Sequence, residues 1–144
     1  RNSEITRQLG NWKKTDGTGA TFDSSTGFKL PNGANRSPDA SWVNKAKLAQ
    51  LTLEEKKKFL PLCPDFAVEL RSPSDDLETV KAKMDEYIAN GLRLGWLIDP
   101  EEKAVYVYRP NVTVQKLQRI NEISAEPELP GFVLDLREIW EPAL

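Results

Sequence analysis

Histidine is absent from this 144-residue sequence, and cysteine occurs once, at Cys63. Without histidine there is no Ser-His-Asp triad, no HNH-type nuclease chemistry and no imidazole-ligated zinc. A lone cysteine forms neither an internal disulfide nor a thiolate cluster. Chemistry must therefore rest on carboxylates, lysine, arginine, tyrosine or serine, or on a metal held by oxygen, and hard cations such as Mg²⁺ take such oxygens. No apolar run approaches the roughly 18 to 20 residues of a membrane-spanning helix. The opening stretch RNSEITRQLGNWKK is too polar for a signal peptide. These absences lead us to expect a cytoplasmic protein with no membrane segment. An initiator Met is also missing, which leaves room for natural sequence ahead of Arg1.

A basic surplus is lacking as well. The net charge is −2 and the pI lies near 5.3, so the global footprint of a nucleic-acid binder is not there. That lowers the expectation of tight non-specific binding, which draws mostly on phosphate neutralisation. Local basic patches remain, at Lys56-Lys57-Lys58 and at Lys45 with Lys47.

What is present is an ordinary globular balance of 39% apolar and 29% charged residues, with no repeat and no low-complexity linker. Residues 1–144 are expected to form one domain. Ile5, Leu9 and Trp12 recur at helical spacing, with Ser3 as the expected N-cap and Gly17 past the end. ATFDSS and GFKL read as strands, and Asn32-Gly33 marks a hairpin whose returning strand is expected over about Asn35 to Val43. Thr52 and Glu55 have capping-box spacing, and a short helix follows them. In DFAVELR, Phe66, Val68 and Leu70 share one face, while Ala67, Glu69 and Arg71 share the other. A helix over about Asp76 to Asn90 carries Leu77, Val80, Met84 and Ile88 as its apolar stripe, with Asp75 and Glu78 at capping-box spacing. LRLGWLI reads as an internal strand, and the alternation of AVYVYR predicts a hairpin partner with one solvated face. A weaker strand is expected around Val112 to Leu117, then GFVLDL, then a helical turn over Arg137 to Trp140. This order predicts an α/β (α+β) fold with a mixed sheet.

Two acidic residues sit in strand-like surroundings, Asp39 next to Ala40-Ser41-Trp42-Val43 and Glu69 within FAVEL. Strands disfavour acidic residues, and buried charges need partners. Placed on neighbouring strands, the two carboxylates would form an oxygen-rich site for Mg²⁺. The residues alone leave another reading open, in which Glu69 belongs to a solvated strand face and pairs with Arg71 or a helical lysine.

Three ordered blocks, STGFKLPNGANRSPDASWV, PDFAVELRSPSD and KMDEYIANGLRLGWLIDP, resemble the small bacterial restriction-endonuclease-like family long known only as a domain of unknown function. That family belongs to the PD-(D/E)XK nuclease superfamily, and the likeness runs from about Gly19 to Leu136. It implies a restriction-endonuclease-like mixed sheet flanked by helices, and an endonuclease that uses Mg²⁺ (or Mn²⁺) to hydrolyse phosphodiester bonds of DNA. The Pro-Asp pair falls on Pro38-Asp39, and the acidic residue of the Asp/Glu-x-Lys element falls on Glu69. Two positions on, this chain has Arg71, which cannot act as a base. The family resembled places its lysine on the following helix, where Lys83 stands, with Tyr87 one turn further on nearly the same face. The resemblance implies metal coordination by Asp39, Glu69 and the Leu70 carbonyl, and catalysis by Asp39, Glu69 and Lys83. Tyr87, Arg71 and Glu4 are accessory candidates. A homodimer through AVYVYR also fits the superfamily. The alternative is a catalytically silent nuclease fold that serves as a nucleic-acid or protein interaction module.

Overall fold

Helix α1 (Asn2–Asp16) buries Ile5 and Leu9 and half-buries Trp12, because residues three and four apart share one helical face. The structure, a computed structural model, describes residues 1–142. Ser3 is not the N-cap expected of it. Arg1 occupies that position without a side-chain hydrogen bond, and Ser3 already lies within the first turn. Gly17 ends the helix in the left-handed conformation, with φ at 70°, as its position past the apolar stripe predicts.

Strands β1 (Gly19–Asp23), β2 (Phe28–Lys29), β3 (Asn35–Arg36) and β4 (Ala40–Asn44) follow. Asn32-Gly33 does turn β2 back on β3. The returning strand, however, is not continuous from Asn35 to Val43. Ser37-Pro38-Asp39 interrupts it, because proline has no N–H to offer a ladder. Asp39 accordingly stands in a bend immediately before β4, and not inside a strand. Helix α2 (Lys45–Ala49) was not anticipated; it is one short turn capped by the Asn44 side chain. Helix α3 (Leu53–Lys56) carries the expected reciprocal capping box between Thr52 and Glu55.

Strand β5 (Phe66–Leu70), helix α4 (Leu77–Ala89) and strand β6 (Leu94–Asp99) make a parallel crossover unit. The N-cap of α4 is Asp76, whose carboxylate accepts the Thr79 N–H. Asp75, one residue earlier, closes the preceding turn by accepting from the Ser72 amide. Strands β7 (Ala104–Tyr108), β8 (Gln115–Gln118), β9 (Glu122–Ser124) and β10 (Val133–Asp135) lead to α5 (Arg137–Trp140).

Six strands form one mixed sheet in the order β1-β4-β5-β6-β7-β8, antiparallel except for β5 with β6. One face, with Trp42, Phe66, Val68 and Trp96, packs against α1, α5 and the β9–β10 ribbon; the other, with Ala67, Leu97 and Tyr106, packs against α4. The fold is thus the mixed α+β sheet flanked by helices that the element order predicts. β7 departs from its expected pattern: all five of its residues are buried. Tyr106 and Tyr108 face α4 instead of water. Gly95 lets α4 come close, since a Cβ there would meet Met84 Cε at 2.6 Å and Leu92 Cδ2 at 2.8 Å. Among the described residues no helix is long and apolar enough to cross a membrane.

Candidate active site

β5 delivers Glu69 to the face covered by α4, because alternate residues of a strand point to opposite sides and Phe66 and Val68 take the other. The residue is only 5% exposed, so its carboxylate requires partners. α4 supplies two. Tyr87 Oη donates to Glu69 Oε2 at 2.8 Å, and Lys83 Nζ lies 3.4 Å from Oε1. Lys83 and Tyr87 are four residues apart and therefore reach the same spot.

Burial pushes the Glu69 carboxyl up to about 7; Lys83 pulls it down, the nearby Asp39 charge raises it, and the Tyr87 hydrogen bond lowers it. The Tyr87 phenol is held well above its ordinary range, first by burial and then by the charge of Glu69. A carboxyl buried among specific charged partners is a recognised mark of functional sites.

Asp39 approaches from the bend just before the neighbouring strand β4. The register pairs Ala40 with Val68, so one step further sets Asp39 beside Glu69. Its Oδ2 accepts the Leu70 N–H at 2.6 Å, and its Oδ1 accepts from Asn2 Nδ2 at 3.1 Å. Asn2, at the start of α1, escaped the sequence reading. Nothing local marks it, because the contact bridges 37 positions. From Asp39 an open hollow of about 480 Å³ runs between the start of α1 and the turn at Asp23 and Ser24.

The other sequence candidates lie apart from these contacts. Glu4 pairs with Arg7 at 2.6 Å and accepts from Gln8, so α1 brings Asn2 and not Glu4 to Asp39. Arg71, an accessory candidate and the open partner for Glu69, pairs elsewhere. It forms an ion pair with the buried Asp99 at 3.0 Å and with Glu101 at 3.6 Å. Arg36, on β3, is held 2.6 Å from Glu86, which follows Lys83 by one turn of α4 and directly precedes Tyr87.

Among the described residues no three Asp, Glu, His or Cys side chains converge as a metal cluster. Mg²⁺, though, is usually held by one or two carboxylates with waters and substrate phosphates, not by an all-protein cage. Two carboxylates fit that pattern in kind. A further oxygen is close by, because Asn2 Oδ1 is buried without a hydrogen-bond partner while its own amide nitrogen binds Asp39. Leu70, next to Glu69 at the end of β5, brings its backbone to the same place, with its amide on Asp39 Oδ2.

A family model, Uma2, described as a putative restriction endonuclease, matches residues 1–137. Among solved structures, a putative nuclease belonging to DUF820 from Anabaena variabilis superposes with a TM-score of 0.81. It is 20% identical, and the match covers 96% of this chain and 77% of that one. At that identity the likeness establishes the fold alone. Comparison with curated proteins finds no match.

Proposed function

Because the chain belongs to the Uma2 family of restriction-endonuclease-like proteins, we propose that it is a Mg²⁺-dependent endonuclease hydrolysing phosphodiester bonds of DNA. The observation that carries this reading is the meeting of Asp39, Glu69 and Lys83 where β4 and β5 run side by side. Asp39, Glu69 and the Leu70 carbonyl would hold the ion, which when bound polarises the phosphate and acidifies water. Mn²⁺ has the same ligand preferences and would substitute.

The side chains divide the remaining work. The Leu70 amide and Asn2 hold Asp39 by both oxygens, and Tyr87 holds Glu69 by Oε2. Both carboxylates are thereby oriented before substrate arrives, which is worth more than contacts formed during reaction. Lys83 is half-buried, with its ammonium at the mouth of the pair. There it orients the attacking water and offsets the negative charge that builds on the phosphoryl and leaving oxygens as the P–O bond breaks. The hollow beside Asp39 gives a nucleic-acid strand its way in.

The same reading sets the protein in the cytoplasm, where DNA and Mg²⁺ occur together. It also proposes a homodimer, but not through AVYVYR, because all five residues of β7 are buried within the protomer; the connection that follows exposes Val112 and Val114.

One observation favours the alternative, a catalytically silent module: both Glu69 oxygens are already engaged, by Tyr87 and Lys83. A single assay separates the two. Purified protein is incubated with plasmid, single-stranded DNA and RNA, with Mg²⁺, Mn²⁺ or a chelator. We expect cleavage of DNA that needs the metal and is lost in Glu69→Ala. Binding without cleavage under every condition would leave the silent module standing.

A further inference from the structure

Three consecutive lysines, Lys56, Lys57 and Lys58, and the 46%-exposed Phe59 stand together at the end of α3. Their charge is largely uncompensated. Among the described residues, Lys57 alone of the three has an acidic partner, Glu54 at 3.7 Å, and both members of that pair are highly exposed. Such a pair contributes little.

The turn is also rigidly mounted. The Leu60 amide donates to the Gly27 carbonyl at 2.9 Å, and the Lys29 amide donates to the Leu60 carbonyl at 2.8 Å. The Phe59 ring lies against the bare backbone of Gly27, where an added Cβ would meet it at 2.7 Å. Lysines and ring line an open hollow of about 350 Å³, whose other wall carries Ser25 and Thr26.

Its position relative to Asp39 gives the hollow meaning. The turn after β1 has two sides. Asp23 and Ser24 border the hollow that reaches Asp39, and Ser25 and Thr26 border the lysine hollow. A strand with one phosphate at Asp39 would meet the lysines after passing a single turn of the protein.

We propose that Lys56 to Phe59 form a holding site for the nucleic-acid strand that flanks the scissile phosphate. The lysines neutralise backbone phosphates, and Phe59 stacks on an unpaired base. A basic groove joined to an exposed aromatic platform is the usual chemistry for single strands. A lipid surface would also attract lysines and phenylalanine. The concave, hydroxyl-bearing wall and the turn shared with Asp39 favour the polynucleotide. For its ligand class, this inference rests on the nuclease reading.

The test is fluorescence anisotropy of a labelled, mixed-sequence single-stranded DNA in chelator, across a salt series. Wild type is compared with Asp39→Asn, with Phe59→Leu, and with a variant carrying Lys56→Ala, Lys57→Ala and Lys58→Ala. The triple variant should bind more weakly, with a log–log salt slope shallower by about two, at about 0.7 per phosphate contact on single strands. Phe59→Leu retains an apolar cover for Gly27 but no flat face, and should lose about five-fold or more in affinity without a change of slope. Wild-type affinity and slope in the triple variant would overturn the proposal. So would loss of binding to anionic phospholipid vesicles with DNA binding unchanged. The two readings fail separately. DNA binding through the lysines by a protein that cleaves nothing overturns the nuclease and keeps the site, whereas metal-dependent cleavage with lysine-independent binding does the reverse.

Discussion

Lys83 Nζ lies 3.4 Å from Glu69 Oε1, tying α4 to β5 across the sheet face. Arg71, two residues beyond Glu69 on the strand, is drawn away by Asp99 and Glu101. If the working cation is the helical one, Lys83→Ala should lower metal-dependent cleavage by about a hundred-fold or more, the usual scale for losing a positioned proton-transfer or charge-stabilising group. Arg71→Lys keeps a cation opposite Asp99 but loses the guanidinium fork. It should melt earlier and retain activity within about ten-fold. The opposite ranking in single-turnover assays would move the role to β5.

Glu69 also makes the stability of the metal-free protein depend on pH. Burial lifts its carboxyl from an ordinary 4.5 to about 7, against the pull of Lys83. A group that binds protons more tightly when folded contributes stability at low pH, and that contribution is lost as pH rises through about 4.5 to about 7. The difference amounts to about 3 kcal/mol. Glu69→Gln abolishes the titration while keeping an acceptor for Tyr87. In chelator it should therefore out-melt wild type above about pH 7, with the gap closing below about pH 4.5. A gap that does not vary with pH would show that Glu69 titrates normally.

Tyr87 offers an independent probe of the same carboxylate. Its hydroxyl donates to Glu69 Oε2 at 2.8 Å in a buried setting. Tyr87→Phe removes a hydrogen bond that favours the ionised form, so the acidic limb of the pH–rate profile should shift to higher pH. A hydrogen bond to a charged group contributes about 1.5–3 kcal/mol, and a comparable loss of stability is expected near neutral pH. An unmoved acidic limb would mean that Glu69 ionisation does not limit turnover.

How far the sequence revealed this arrangement depended on the range of each interaction. The alternation in FAVEL was enough to separate Glu69 from Phe66 and Val68, because strand geometry is local. The capping box at Thr52 and the Asn32-Gly33 hairpin were legible for the same reason. AVYVYR misled because its alternation marks two kinds of buried face: Val105 and Val107 join one core, Tyr106 and Tyr108 the other. A tyrosine beneath a helix looks, in sequence, like a tyrosine beneath water. The Asn2–Asp39 contact and the Arg71–Asp99 pair bridge 37 and 28 positions, and no spacing rule reaches that far. Asp39 does lie near Glu69, but in a bend and not within a strand, since Pro38 breaks the run.

Pro38, buried directly before Asp39, yields the last expectation. The last pair of the β4–β5 ladder is Ala40 with Val68; carried two steps past it, the same register would bring Pro38 opposite Leu70. An ordinary residue at 38 would offer its N–H to the Leu70 carbonyl. Proline cannot, while the Leu70 amide donates separately to Asp39 Oδ2 at 2.6 Å. The proposed third oxygen ligand would thus be left without a ladder donor by the residue that precedes the first. Pro38→Ala restores an N–H at this point. Its ladder bond adds about 0.5–1.5 kcal/mol, and the freer unfolded chain removes about 0.4–1 kcal/mol, so the melting temperature should stay near that of wild type. Mg²⁺ binding measured by calorimetry should weaken, though less than in Asp39→Asn, which removes a charged ligand outright. Unchanged Mg²⁺ affinity in Pro38→Ala would exclude the Leu70 carbonyl as a ligand, and unchanged affinity in Asp39→Asn would exclude the site.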